Sequence, residues 1–138
     1  MEVVAMLQTI KVRSSQREEM INITSEIKKY IIKNNLNEGV VTLFVPHTTA
    51  AVTINENADP DVPSDIILGL GKISPNLRDF NHVEGNSDAH IKSSLVGCSQ
   101  QILVENNKLV LGTWQGIYFC EFDGPRTRKL HIYSPKAR

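Results

Sequence analysis

Cysteine is scarce in this chain: two residues in 138, Cys98 and Cys120. They form neither a Cys-x-x-Cys pair nor a dense framework, which excludes a disulfide scaffold and leaves redox and zinc-thiolate readings without support; both read as small, mostly buried hydrophobes in a reducing compartment. Surplus charge is also missing, because fifteen Lys and Arg are balanced by fifteen Asp and Glu. A global field that would steer the protein to nucleic acid or an acidic membrane is therefore absent, and the one basic run is Arg126-Thr127-Arg128-Lys129. No apolar stretch approaches the roughly 20 residues that span a bilayer. The N-terminus lacks a basic region ahead of its apolar part and a clean cleavage site. The expectation is a cytoplasmic protein with neither a membrane nor a nucleic-acid partner. There is no P-loop, dinucleotide glycine fingerprint, Gly-x-Ser-x-Gly elbow or His-Glu-x-x-His helix, so nucleotide hydrolysis and serine-hydrolase chemistry lose support.

What is present fits one domain over residues 1–138, with 41% hydrophobic and 22% charged residues and enough length to bury a core without staples. Val3 to Val12 reads as a strand. Ser15 and Glu18 have capping-box spacing, and Met20, Ile23, Ile27 and Ile31 then recur at three- and four-residue steps. The pattern predicts a helix from Ser15 to about Asn34, packed by that stripe. Val40 to Val45, an apolar β-branched run, predicts a strand covered on both faces, and Ala50 to Asn55 a second strand. Asp59-Pro60-Asp61-Val62-Pro63 leads into a short helix, Ser64 to Leu70, and Ser87-Asp88 offers an N-cap for another helix ending at Gly97. Four strand-like runs follow, Gln101–Val104, Lys108–Leu111, Ile117–Phe122 and Lys129–Tyr133, with links too short for crossover helices. Mainly antiparallel sheets in an α+β fold are the result.

Three of the four histidines stand in polar loop or helix-start contexts: His47 in PHTTA, and His82 and His90 in HVEGNSDAH. Neutral imidazole is the commonest metal ligand, and three histidines with an open fourth position suit a functional zinc-type site. Single loop histidines more often face solvent, so the spacing leaves both readings open. Glu84 and Asp88 can ligate, orient a histidine or act as a base. A histidine in the first turn of a helix, as expected for His90, feels the positive end of the macrodipole, and the free N–H groups there suit a phosphate or carboxylate. Asn55-Glu56-Asn57-Ala58-Asp59 reads as a binding loop, a cation loop or a capped turn. Glu121 either lines a pocket or pairs with Arg126 or Arg128. Trp114 and Gln115 offer a ring to stack and an amide at a strand turn, or a packed hairpin tryptophan. His131, in the last strand, is left out of the site.

The segments PHTTAAVTINENADPDVPSDI, HVEGNSDAHIKSSLVG and LGTWQGIYFCEFDGPRTRKLHIY, within about residues 40 to 133, resemble the YjbQ family, often labelled secondary thiamine-phosphate synthase enzyme. The resemblance implies a compact α+β fold with a sandwich-like or barrel-like sheet core and about three helices, a homotrimer, and a cleft holding the histidines. It puts metal ligands at His47, His82 and His90, and carboxylate and amide positions at Glu56, Glu84, Asn86, Asp88 and Glu121. The implied reaction joins an aminopyrimidine diphosphate to a thiazole phosphate with loss of pyrophosphate. Glu84, Asp88 or Glu121 would serve as acid or base, and Thr48, Thr49, Glu56, Asn86, Trp114, Gln115 and Arg126 would bind a small phosphorylated substrate. The metal would be divalent: zinc, or magnesium with a diphosphate. A hydrolase, a lyase or a non-catalytic binder would use the same residues. One departure from the family pattern bears on binding: an aromatic-Arg pair common before the second histidine is Phe80-Asn81 here, which removes a cationic contact.

Overall fold

A computed structural model describes residues 3–137. In chain order the elements are β1 (Val3–Arg13), β2 (Glu19–Asn22), α1 (Thr24–Lys33), β3 (Gly39–Phe44), β4 (Ala50–Glu56), α2 (Asp61–Ile73), α3 (Ser87–Val96), β5 (Ser99–Glu105), β6 (Lys108–Leu109), β7 (Gln115–Glu121) and β8 (Thr127–Ala137). The class is α+β. The strands form a five-stranded sheet in the order β1-β8-β3-β5-β6 and a three-stranded sheet in the order β2-β7-β4, every pairing antiparallel.

Period-2 alternation decides which residues of the large sheet face inward. Val41, Leu43, Ile102, Leu130 and Ile132 are buried together with Val52, Ile117 and Phe119 of the small sheet and with Ile27, Tyr30 and Ile31 of α1. The other face of the small sheet packs Ala51, Tyr118 and Cys120 against Ala89 of α3 and Leu70 of α2. That face is capped by helices. The outer face of the large sheet is not, so the expectation that residues 40–45 are covered on both sides fails: Val41 and Leu43 are sealed while Phe44 is 45% exposed.

The helix expected from Ser15 begins at Thr24 instead, where the Asn22 Oδ1 accepts the Thr24 N–H at 3.0 Å. Residues 19–22 are extended because they pair with β7, Met20 opposite Cys120 and Ile21 opposite Phe119. A ladder onto a buried strand outweighs a local capping motif, since propensity is a weak prior against tertiary pairing. Glu18 does not close the capping box; its carboxylate accepts the Lys92 ammonium at 2.7 Å, and Glu19 accepts the Ser15 N–H at 2.8 Å. The rest of the stripe behaves as read, with Ile23, Ile27 and Ile31 buried, and α1 ends at Asn34 before Asn35 turns left-handed at φ 50. The second helix is longer than its apolar run implied, starting at Asp61 with Pro63 in the first turn, where a missing N–H costs no helical bond.

Candidate functional site

The site forms where β3 turns into β4. Residues 45–49 are pinned by two backbone bonds, Val45 N–H to the Cys98 carbonyl at 2.8 Å and Phe122 N–H to the Thr49 carbonyl at 3.1 Å, so His47 projects from a fixed loop. Its Nε2 accepts the Lys129 N–H at 2.9 Å, which requires a neutral ring. Burial first, and then the nearby Arg128 charge, lower the His47 pKa, in agreement with that geometry. From the other side comes the loop before α3. A turn closed by Gly85 N–H on the His82 carbonyl, with Gly85 at φ 72, brings His82 back over the helix start. The His82 and His90 rings meet edge to face with centroids 5.2 Å apart.

All three histidines line one open cavity of about 660 Å³, together with Thr48, Thr49, Glu84, Asn86 and Arg126. Eight of the residues expected in the site are thus brought together. Arg128, Asp123, Phe44 and Cys98 complete much of the wall. Asp123 is the one polar wall residue that gave no chemical signal in the sequence, because Asp123-Gly124-Pro125 reads as turn chemistry. It organises the rim: its carboxylate accepts the Asn86 amide at 2.7 Å and the Arg126 guanidinium at 3.1 Å. The Asn86 Oδ1, buried, has no partner among the described residues. The lining holds two arginines, Arg126 and Arg128, and two carboxylates, Glu84 and Asp123, so its Arg, Asp and Glu side chains carry no net formal charge.

Five expected residues stand elsewhere. Glu121 is fully buried behind the cavity, where it accepts bonds from Arg128, from the Ser14 hydroxyl at 2.7 Å and from the Asp123 N–H at 3.0 Å. Of the two sequence alternatives for Glu121, pairing with Arg128 is the one observed. Burial opposes ionisation there, but the Arg128, Asp123 and Ser14 donors outweigh it and hold the Glu121 carboxyl below its ordinary range. Ser14 is a residue that sequence reasoning missed, because the carboxylate it serves lies far along the chain. Asp88 is 3% exposed, faces Arg17 at 3.3 Å and Lys92 at 3.8 Å, and does not line the cavity. Glu56, Trp114 and Gln115 lie at the opposite end of the β4–β7 pair, where Glu56 is in register with Gln115 while Ala50, next to the cavity, is in register with Glu121. Seven strand residues put roughly 20 Å between those ends. The 55–59 loop is a capped turn, with Asp59 Oδ1 accepting the Asp61 N–H at 2.9 Å.

Among the described residues, no three His, Cys, Asp or Glu side chains stand close enough to enclose a metal ion. The contact of His82 with His90 provides two imidazoles. Among the described residues, no helix is long and apolar enough to cross a membrane.

Comparison with known proteins agrees with the geometry of the fold. The UPF0047 protein MJ1081 of Methanocaldococcus jannaschii is 52% identical over 132 residues, covering 96% of each chain. The UPF0047 protein YugU of Bacillus subtilis is 50% identical over 128 residues, 92% of this chain and 97% of that one. The crystal structure of a YjbQ/UPF0047-family protein from Clostridium acetobutylicum superposes with a TM-score of 0.88 at 54% identity, covering 91% of this chain and 97% of the other. A YbjQ-like protein from Sulfolobus solfataricus reaches a TM-score of 0.93 at 27% identity over 99% of this chain and all of that one. Residues 8–135 match the family described as UPF0047 protein YjbQ-like, and the chain belongs to that family.

Proposed function

We propose that the cavity binds a small phosphorylated heterocycle together with a divalent metal, and that the protein is a transferase of the thiamine-phosphate synthase type. In that reaction the thiazole ring nitrogen attacks the methylene carbon of the aminopyrimidine diphosphate, a C–N bond forms, and the C–O bond to pyrophosphate breaks. The observation that carries the reading is the convergence of His47, His82 and His90 with Arg126 and the start of α3 on one cavity. A lining with no net charge gives a separate argument for the metal, since a diphosphate needs a cationic surplus that the side chains do not supply.

His82 and His90, already in contact, would hold the ion. Two imidazoles suit zinc, with His47 as a third ligand only if its ring turned from the Lys129 N–H, whereas magnesium, which prefers oxygen ligands, would be held chiefly by the diphosphate. When bound, the metal neutralises the leaving pyrophosphate. Glu84 is the expected acid-base carboxylate that lines the cavity, Asn86 at the N-cap of α3 orients phosphate oxygens, and Arg126 stands at the rim beside them. Thr48 and Thr49 shape the wall beside His47.

The test is pyrophosphate release from the two organic substrates by protein stripped with chelator and then reloaded with zinc or magnesium. Release that needs both substrates and the metal is expected. Release from the diphosphate alone would instead identify a hydrolase, and no release from metal-replete protein would leave a binding protein. That last reading gains from one feature, the locking of Glu121 and Asp88 in ion pairs.

The protein is taken as a cytoplasmic homotrimer. Support for assembly comes from Leu7, Phe44, Leu103 and Tyr133, exposed large side chains that registration puts on one outer face of the large sheet. Sedimentation of Leu103→Lys beside the native chain tests it; an unchanged trimer would place the interface elsewhere.

A further inference from the structure

Arg128 is 2% exposed, yet it lines the cavity. Its inner edge is saturated. Nε donates to both Glu121 oxygens at 2.9 and 3.1 Å, and Nη2 donates to Glu121, to the Thr49 hydroxyl at 2.8 Å and to the Thr49 carbonyl at 3.1 Å. The third nitrogen, Nη1, has no partner among the described residues, and the guanidinium is planar, so pinning the inner edge also fixes where the two Nη1 N–H groups point. With the rest of the head group committed to buried partners, Nη1 is the part left for the cavity. Arg126 differs in kind: its side chain is half exposed and, among the described residues, held at the rim by Asp123 alone.

We propose that Arg128 is the fixed phosphate-reading residue of the cavity, donating from Nη1 to an oxygen of a bound phosphate, with Arg126 acting only as a second contact from the exposed rim. The assignment rests on the reading of this cavity as a phosphate site and adds to it the group that decides which anion fits. Because Glu121 neutralises Arg128 from behind, the pair acts on a ligand as an oriented donor at contact range and not as a long-range charge. Immobilising the donor before binding removes an ordering cost, which is why a pinned guanidinium outperforms a free one of equal charge. Thr49 thereby becomes a positioning residue, acting on the ligand through Arg128.

The experiment is calorimetric titration of inorganic phosphate into native protein, Arg128→Lys, Thr49→Val and Arg126→Gln, each chelator-treated and zinc-loaded, with circular dichroism confirming the fold. Lysine keeps the charge but cannot reproduce the fork, so a loss of about tenfold or more in phosphate affinity is expected, with a loss of about threefold for Thr49→Val. Arg126→Gln is expected to lose less than Arg128→Lys. Should Arg128→Lys fail to fold, Thr49→Val carries the test, since Glu121 still holds the guanidinium there. Native affinity in both Arg128→Lys and Thr49→Val, with the loss confined to Arg126→Gln, would overturn the assignment. Phosphate binding that depends on Arg128 without any metal or turnover would uphold it and sink the transferase reading, whereas native protein that binds no phosphate in either state would remove both.

Discussion

Glu121→Ala tests the physical core of the site, because Glu121 is the counter-charge of a guanidinium with almost no access to water. In the native chain Arg128 directs Nε and Nη2 into this carboxylate, and only 2% of Arg128 is exposed. Removing the partner of a buried charge costs about 3–5 kcal/mol, mostly the desolvation of the cation left behind. The Ser14 hydroxyl adds little to the loss, since its single proton can turn from Glu121 to the Arg126 carbonyl, 3.0 Å away. We expect about 4 kcal/mol, a large part of the 5–15 kcal/mol that holds a domain of this size together. At an urea slope of about 2 kcal/mol per molar, the unfolding midpoint falls by about 2 M. Replacing both partners together, Glu121→Leu with Arg128→Met, restores most of the loss, as uncharged packing leaves no orphan. The pH dependence has a definite sign. Glu121 is held below its ordinary range, so the native state stays ionised where the unfolded chain, at about 4.3, takes a proton. Its contribution is complete above that value and is lost as pH falls through the native pKa; Glu121→Ala lacks this acid limb. Equilibrium unfolding followed by circular dichroism at pH 7 and at pH 4 measures both effects. A Glu121→Ala protein within 1 kcal/mol of the native one, or with an unchanged acid limb, would refute the reasoning.

Three further outcomes follow from single environments. Cys98 is exposed while Cys120 is buried and pushed up to about 12, so iodoacetamide should label one thiol in native protein and two after unfolding; native labelling of both would deny that Cys120 is sealed. In metal-free protein the His47 imidazole should titrate below about 6.5 by proton NMR, and a midpoint above that would mean the ring is not an acceptor for the Lys129 N–H. Gly124→Ala puts a Cβ 2.6 Å from the Ser14 hydroxyl and 2.9 Å from the Glu121 Cγ, and should destabilise by about 1–3 kcal/mol in urea; native stability would show that this turn yields freely.

The sequence was legible where one local rule acts alone. Antiparallel strands, three helices and the stripe Ile23, Ile27, Ile31 follow from periodicity, and the end of α1 from Asn34-Asn35. Residues 15–22 were misread because their helical spacing and capping signal are also compatible with a strand, and only the open edge of β7, far along the chain, decides the matter. Within the site, histidines announce themselves by rarity and polar context, so His47, His82 and His90 were found with Glu84, Asn86 and Arg126. Carboxylates do not. Asp88 and Glu121 were singled out correctly as unusual, but their partners Arg17, Lys92, Ser14 and Arg128 come from distant segments, and pairing turns them inward. Asp123 was hidden because Asp-Gly-Pro satisfies turn statistics completely, leaving no residue-level sign that its carboxylate also organises Asn86 and Arg126.

On the proposed reading, the charge balance of the lining also ties the metal to the anion. Arg126 and Arg128 are outnumbered by Glu84, Asp123 and the Glu121 carboxylate behind the wall, so a phosphate alone enters no field that favours it, while a cation does. Each would supply what the other needs: a divalent ion beside His82 and His90 creates the surplus that a phosphate requires, and the phosphate supplies oxygens that two imidazoles leave uncoordinated. Linkage then demands equality, because the factor by which zinc tightens phosphate is the factor by which phosphate tightens zinc. A coupling of 1–3 kcal/mol, typical of linked sites, corresponds to about 5–150-fold. Zinc affinity measured by dye competition with and without phosphate should therefore rise by the same ratio that calorimetry finds for phosphate with and without zinc. If phosphate binds the metal-free chain as tightly as the loaded one, and zinc affinity ignores phosphate, the two ligands do not share this cavity, and the oriented Arg128 edge would be reading its anion alone.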